Sequence, residues 1–194
     1  MVAVTSTMLP LGEPAPGFSL SDPAGRLHSL ADFVDAPALV VIFLCNHCPY
    51  VRHISRELAR VTQELLRQGV AVVGISANDI VTHPEDAPDR MVVEAERNGY
   101  AFPYLYDETQ EVAKAYRAAC TPDFYVFDGE RKLVYRGQFD DSRPSNNQPV
   151  TGRDLVAAVT AVLAGGTVPS DQRASIGCSI KWRPGSTPEY VEGV

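Results

Sequence analysis

Seven consecutive apolar residues, Ala38 to Leu44, run without a break into Cys45-Asn46-His47-Cys48-Pro49. A continuous, β-branched run of this length suits a strand buried on both faces, and such strands lie in the middle of a mostly parallel sheet. Directly afterwards Val51, Ile54, Leu58, Val61 and Leu65 recur at steps of three and four, the stripe of an amphipathic helix. Gly69 sits where a helix C′ residue belongs, and Val70 to Ile75 reads as a second buried strand. A strand, a crossover helix and another strand force parallel pairing. The chain is therefore expected to be α/β, and its cysteine pair falls where the strand turns into the helix.

The remaining blocks extend this pattern. Phe18 to Leu20 and Arg26 to Ser29 flank the turn-forming Asp22-Pro23-Ala24-Gly25, which predicts an N-terminal β-hairpin. Pro84 to Asn98 is expected to be one helix, ended by Gly99. Tyr104 to Tyr106 reads as a short strand. Asp107 and Gln110 fit a capping box ahead of the apolar face of Val112, Ala115, Tyr116 and Ala119. Phe124 to Phe127 and Leu133 to Tyr135 read as a late antiparallel hairpin around Asp128-Gly129. Thr151 is expected to cap a helix over Asp154 to Leu163, and the tail from Thr167 shows no periodicity. The expectation is one domain over 1–194, with a core of about 9–166, a tail over 167–194 and three α/β/α layers on a mixed sheet.

Composition narrows the chemistry. Seventeen basic residues against 24 acidic ones leave a net charge of −7, which argues against a nucleic-acid partner needing a basic face. No apolar run approaches the roughly 20 residues of a membrane helix. Met1 to Pro16 has neither a basic n-region nor an apolar h-region, so the protein is expected in the cytoplasm, with no membrane partner. Four cysteines in a cytoplasmic chain of 194 residues point to catalysis or metal binding rather than a disulfide scaffold.

Two cysteines separated by two residues at a helix start can close a disulfide with little backbone movement. The unpaired N–H groups and positive end of the helix dipole favour a thiolate there. Such positions lower a thiol pKa from about 8.5 into the range of roughly 3.5–7.5. On this reading Cys45 is the thiolate, and an imidazolium at His47 would stabilise it further. The competing reading of His47 is a solvated turn histidine.

The strand–CxxC–helix block resembles the thioredoxin superfamily, and the wider layout is similar to its redoxin branch, the peroxiredoxin-like AhpC/TSA type. The resemblance spans roughly Leu9 to Gly166. It rests also on Phe102-Pro103-Tyr104-Leu105-Tyr106-Asp107, Glu111-Val112-Ala113-Lys114-Ala115-Tyr116, Thr121-Pro122 and Tyr135-Arg136-Gly137. The strings CNHCPYVRH, GQFDDSRP and IGCSIKW look like a peroxiredoxin-like subgroup. The resemblance implies a thioredoxin-like fold with Cys45 as attacking nucleophile and Cys48 as resolving thiol. It also implies a cis-proline at Pro122, with Thr121 beside it in the substrate groove, and no cofactor.

Departures from that family order the functional expectations. Ile42 and Ala38 stand where peroxiredoxins carry a peroxide-activating threonine and an upstream proline, and Leu39 replaces the buried acid of thioredoxins. Thiol–disulfide exchange with protein or small-molecule thiols and disulfides therefore ranks first. Hydroperoxide reduction by Cys45, an antioxidant role, is the alternative. A metal site drawn from Cys45, Cys48, His47, His53 or Cys120 ranks third, because a lone CxxC is a poor zinc signature, and no metal is expected. Cys120 reads as buried packing or a third redox thiol, and Cys178 as filler or a distant resolving thiol. Arg143 reads as a solvated loop residue or a guide for an anionic substrate.

Overall fold

The computed structural model describes residues 3–191; the first two and last three positions of the expected 1–194 domain lie outside the described residues. The first half of the chain forms β1 (Ala3–Thr5), β2 (Ser19–Ser21), β3 (Leu27–Ser29), β4 (Leu39–Phe43), α1 (Pro49–Arg67) and β5 (Ala71–Ser76). The second half adds α2 (Pro88–Asn98), β6 (Tyr104–Tyr106), α3 (Glu111–Ala115), β7 (Cys120–Thr121) and β8 (Asp123–Phe127). β9 (Leu133–Gly137), α4 (Arg153–Leu163) and β10 (Ile176–Ser179) complete it.

The main sheet runs β3-β2-β6-β5-β4-β8-β9. β4 pairs parallel with β5 on one side and antiparallel with β8 on the other, so every residue of β4 is sealed from solvent. That burial is what its unbroken apolar sequence requires. Val40 and Ile42 pack with α1, α2 and α4, while Val41 and Phe43 pack with α3. The result is the three-layer mixed-sheet architecture read from the sequence, with the N-terminal hairpin β2–β3 at one edge. Among the described residues no helix is long and apolar enough to cross a membrane.

Four local expectations are corrected. The helix expected over Pro84 to Asn98 is two pieces, a 3-10 turn at Pro84–Asp86 and then α2. Pro88 holds Ala87 extended, at φ −62° and ψ 154°, because a residue before proline avoids the helical region. The capping box at Asp107 and Gln110 does not form. Gln110 is itself the N-cap, at φ 65°, and its amide donates to the carbonyls of Ala77 and Lys181, leaving Asp107 to accept from the Ala113 N–H at 2.8 Å. The N-cap of α4 is Gly152 rather than Thr151, whose hydroxyl accepts from the Arg153 N–H at 3.3 Å.

The fourth correction concerns the tail. β10 lies between β1 and β7 in a second, three-stranded sheet, with Cys178 opposite Thr121 and Ser179 opposite Cys120. A Cβ at Gly177 would overlap the Thr121 carbonyl, so a bare backbone there lets β10 close on β7. This closure brings the C-terminal strand against the cysteine pair.

Candidate active site

β4 delivers the chain to Cys45, and α1 begins only at Pro49. Proline is suited to the first helical position and holds the residue before it extended. Cys48 is accordingly the N-cap, at φ −64° and ψ 123°. The sequence placed Cys45 at the helix dipole; the structure gives that position to Cys48, three residues later. Both side chains are enclosed, Cys45 being 1% and Cys48 0% exposed.

Three sulfurs converge on this N-terminus. The Cys45 and Cys48 thiols lie near enough to shift each other's pKa, and Cys48 Sγ lies 2.9 Å from Cys178 Sγ. Cys45 Sγ also meets the Thr121 hydroxyl at 3.4 Å. Thiol contacts from Cys178 and Cys45 pull the Cys48 pKa down, assisted by the amides of Val51 and Cys178. The same contact with Cys48 drives Cys45 up, reinforced by burial and by the Asp86 carboxylate. Cys178 is likewise held up by Cys48 and by burial.

One contact opposes an anion on Cys48, namely the Thr121 carbonyl oxygen at 3.2 Å, which can only accept. Hydrogen bonds to a charged group are worth about 1.5–3 kcal/mol each, against about 0.5–1.5 kcal/mol for a neutral one. The contacts with Cys178 and Cys45 outweigh burial and that carbonyl and hold the Cys48 pKa low.

The loop between the cysteines is clamped by Asp86, which the sequence reading did not single out. Its buried carboxylate accepts from the amides of Asn46 at 2.8 Å and His47 at 3.2 Å, from the Asn78 side chain at 2.7 Å and from His47 Nδ1 at 2.6 Å. Asn46 is pinned further by its own bond to the Glu85 carbonyl and by the Tyr104 hydroxyl donating to it at 3.0 Å. The hydrogen bond to Asp86 raises the His47 pKa despite burial. Burial pushes Asp86 up, but His47 and Asn78 outweigh it and hold the carboxyl low. The imidazolium expected to tune Cys45 is thus compensated by a carboxylate, and its ring stacks on His83 with centroids 5.2 Å apart.

The other predicted residues distribute around this centre. The Thr121–Pro122 peptide is cis. Pro122 lines a small cavity with Tyr50, His53 and Arg143, the place expected for a substrate groove. Arg143 is committed to the carbonyls of Asp140 and Ser142 and to the Gln138 side chain. Cys120 is fully buried, its sulfur 4.0 Å from the Pro122 carbonyl, and burial raises its pKa. Next to Pro122, Asp123 is a buried acid the sequence reading passed over. Burial raises its pKa to about 6, against bonds from the Ser6 and Tyr125 hydroxyls.

For a metal, the structure groups donors differently from the sequence set. Ligand atoms of Cys45, His47 and Asp86 lie within 4.8 Å of one another, whereas His53 faces the Pro122 cavity. An ion there would have to displace the Asp86 hydrogen bonds that hold the loop.

Comparison with known proteins bears on the family and the fold. The sequence model described as the AhpC/TSA family matches residues 11–136, well over half of the chain. The chain belongs to the AhpC/TSA family. Among its relatives is the thiol-disulfide oxidoreductase ResA of Geobacillus thermodenitrificans, 27% identical over 129 residues, covering 66% of this chain and 68% of that protein. The crystal structure of an uncharacterized conserved protein from Geobacillus kaustophilus is 55% identical with a TM-score of 0.93, covering 95% of this chain and 98% of its own. A thioredoxin-family thiol:disulfide interchange protein from Chlorobium tepidum TLS shares the fold at 19% identity and a TM-score of 0.61, over 78% of this chain and 97% of its own. The AhpC/TSA match and these likenesses establish a thioredoxin-like redoxin.

Proposed function

We propose that this AhpC/TSA protein is a thiol–disulfide oxidoreductase that works through Cys45 and Cys48 by way of a mixed disulfide. The supporting observation is the placement of the pair: Cys48 is the N-cap of α1, and both sulfurs lie against Thr121 beside the cis proline, Cys45 at 3.4 Å from its hydroxyl and Cys48 at 3.2 Å from its carbonyl.

The arrangement supplies its own base. Cys48 thiolate takes the Cys45 proton, and Cys45 attacks one sulfur of a partner disulfide, whose other sulfur leaves with the bonding electrons. Cys48 then returns its proton to that leaving thiolate and attacks Cys45 Sγ. The Cys45–Cys48 bond forms, the mixed disulfide breaks, and the second partner sulfur takes a proton from water. The partner is reduced by two electrons and the cysteine pair is oxidised by two. The Thr121 hydroxyl at 3.4 Å is placed to donate to Cys45 while it is anionic. Since both sulfurs are enclosed, a partner reaches Cys45 only as the surrounding segments open.

Cys48→Ser removes the resolving sulfur. Incubated with insulin in alkaline solution, where Cys45 can ionise without the Cys48 base, this variant is expected to accumulate a mixed disulfide on Cys45, seen as an adduct in non-reducing mass spectrometry. Failure to accumulate any adduct, with the variant folded, would contradict the proposal.

A further inference from the structure

The third sulfur is not used by that mechanism. We propose that Cys178 is a second disulfide partner of Cys48, so that the centre is a three-cysteine exchange relay; this rests on the Cys45–Cys48 reading above. The juxtaposition is built into the fold. Cys178 lies opposite Thr121 in the β10–β7 ladder, and the absent side chain of Gly177 allows that approach. Cys48 is fixed from the other side by the start of α1. The two sulfurs stand 2.9 Å apart, against about 2.0 Å for a bonded pair, so closing the bond takes a movement of about an ångström. Both side chains are buried, which shields the product from outside thiols.

The step conserves electrons. Starting from the Cys45–Cys48 disulfide, Cys178 loses its proton and attacks Cys48 Sγ. The Cys48–Cys178 bond forms and the Cys45–Cys48 bond breaks. Its electron pair leaves on Cys45, which takes up a proton. The partner disulfide of the proposed reaction supplies the oxidising equivalents, and the exchange only moves them. Its consequence is to return Cys45 to the thiol form while the protein stays oxidised, storing the disulfide between the start of α1 and β10.

The test treats reduced wild type, Cys45→Ser and Cys178→Ser with oxidised glutathione, quenches by acid, alkylates under denaturing conditions and maps peptides without reduction. Wild type is expected to show both links, Cys45–Cys48 and Cys48–Cys178. Cys178→Ser is expected to show only Cys45–Cys48, and Cys45→Ser, which lacks the entry thiol, neither link. If wild type forms Cys45–Cys48 but never links Cys48 to Cys178, the relay is overturned and the proposed function stands. Absence of the Cys45–Cys48 link from both wild type and Cys178→Ser overturns both. Because wild type alone reports both links, a variant that does not fold leaves the answer intact.

Discussion

Cys45→Ser is expected to lower insulin-disulfide reduction to the rate of the buffer dithiol alone. A serine oxygen cannot enter a disulfide, so the loss is one of chemistry rather than of affinity. Nothing nearby substitutes: Cys48 and Cys178 sit against the helix N-terminus and β10, and Cys120 is fully enclosed behind Pro122. The matched control is Cys120→Ala, which is expected to keep most of the turnover because its sulfur makes only a 4.0 Å contact with the Pro122 carbonyl. Substantial turnover by folded Cys45→Ser would show that another sulfur attacks the substrate.

Asp86→Ala is expected to cost about 3 kcal/mol of stability, the lower end of what breaking a buried ion pair costs. The lower end applies because His47 can shed its proton once the carboxylate is gone. What then remains is a set of donors, the Asn46 and His47 amides and the Asn78 side chain, deprived of their acceptor at about 1–3 kcal/mol each when fully buried. Against a typical total of about 5–15 kcal/mol, urea unfolding would register it plainly.

The deficit should also depend on pH. A raised histidine pKa stabilises the fold fully below its unfolded value of about 6.5 and stops doing so as pH climbs through the folded value. The depressed Asp86 pKa stabilises it above about 3.9 and stops doing so as pH falls through its folded value. The gap between wild type and Asp86→Ala is therefore widest between about pH 3.9 and 6.5 and narrows on both sides. A gap that widened steadily into alkaline solution would contradict the pairing.

Much of this architecture was legible because burial leaves a trace in sequence. The unbroken run Ala38 to Leu44 could only be a central strand, and the stripe from Val51 to Leu65 could only be the helix that returns over it. The CxxC drew attention to itself by its place between them. Asp86 left no such trace: it lies 38 residues beyond Cys48, and the second of two acids after Pro84 looks like any solvated turn until the loop folds back on it. Cys178 was visible only as an unplaced thiol, because β10 is four residues long and gets its order from β1 and β7 rather than from its own periodicity. That Cys48 rather than Cys45 meets the start of the helix was written in Pro49, which suits the first helical position.

The account stands on Cys48 being the charged sulfur of the centre. Its most direct test is the pH titration of thiolate absorbance in the reduced wild type, Cys45→Ser and Cys48→Ser. A thiolate titrating well below the ordinary value of about 8.5 is expected in wild type and in Cys45→Ser, and is expected to vanish in Cys48→Ser. Its survival in Cys48→Ser and loss in Cys45→Ser would place the charge on Cys45 and contradict the account.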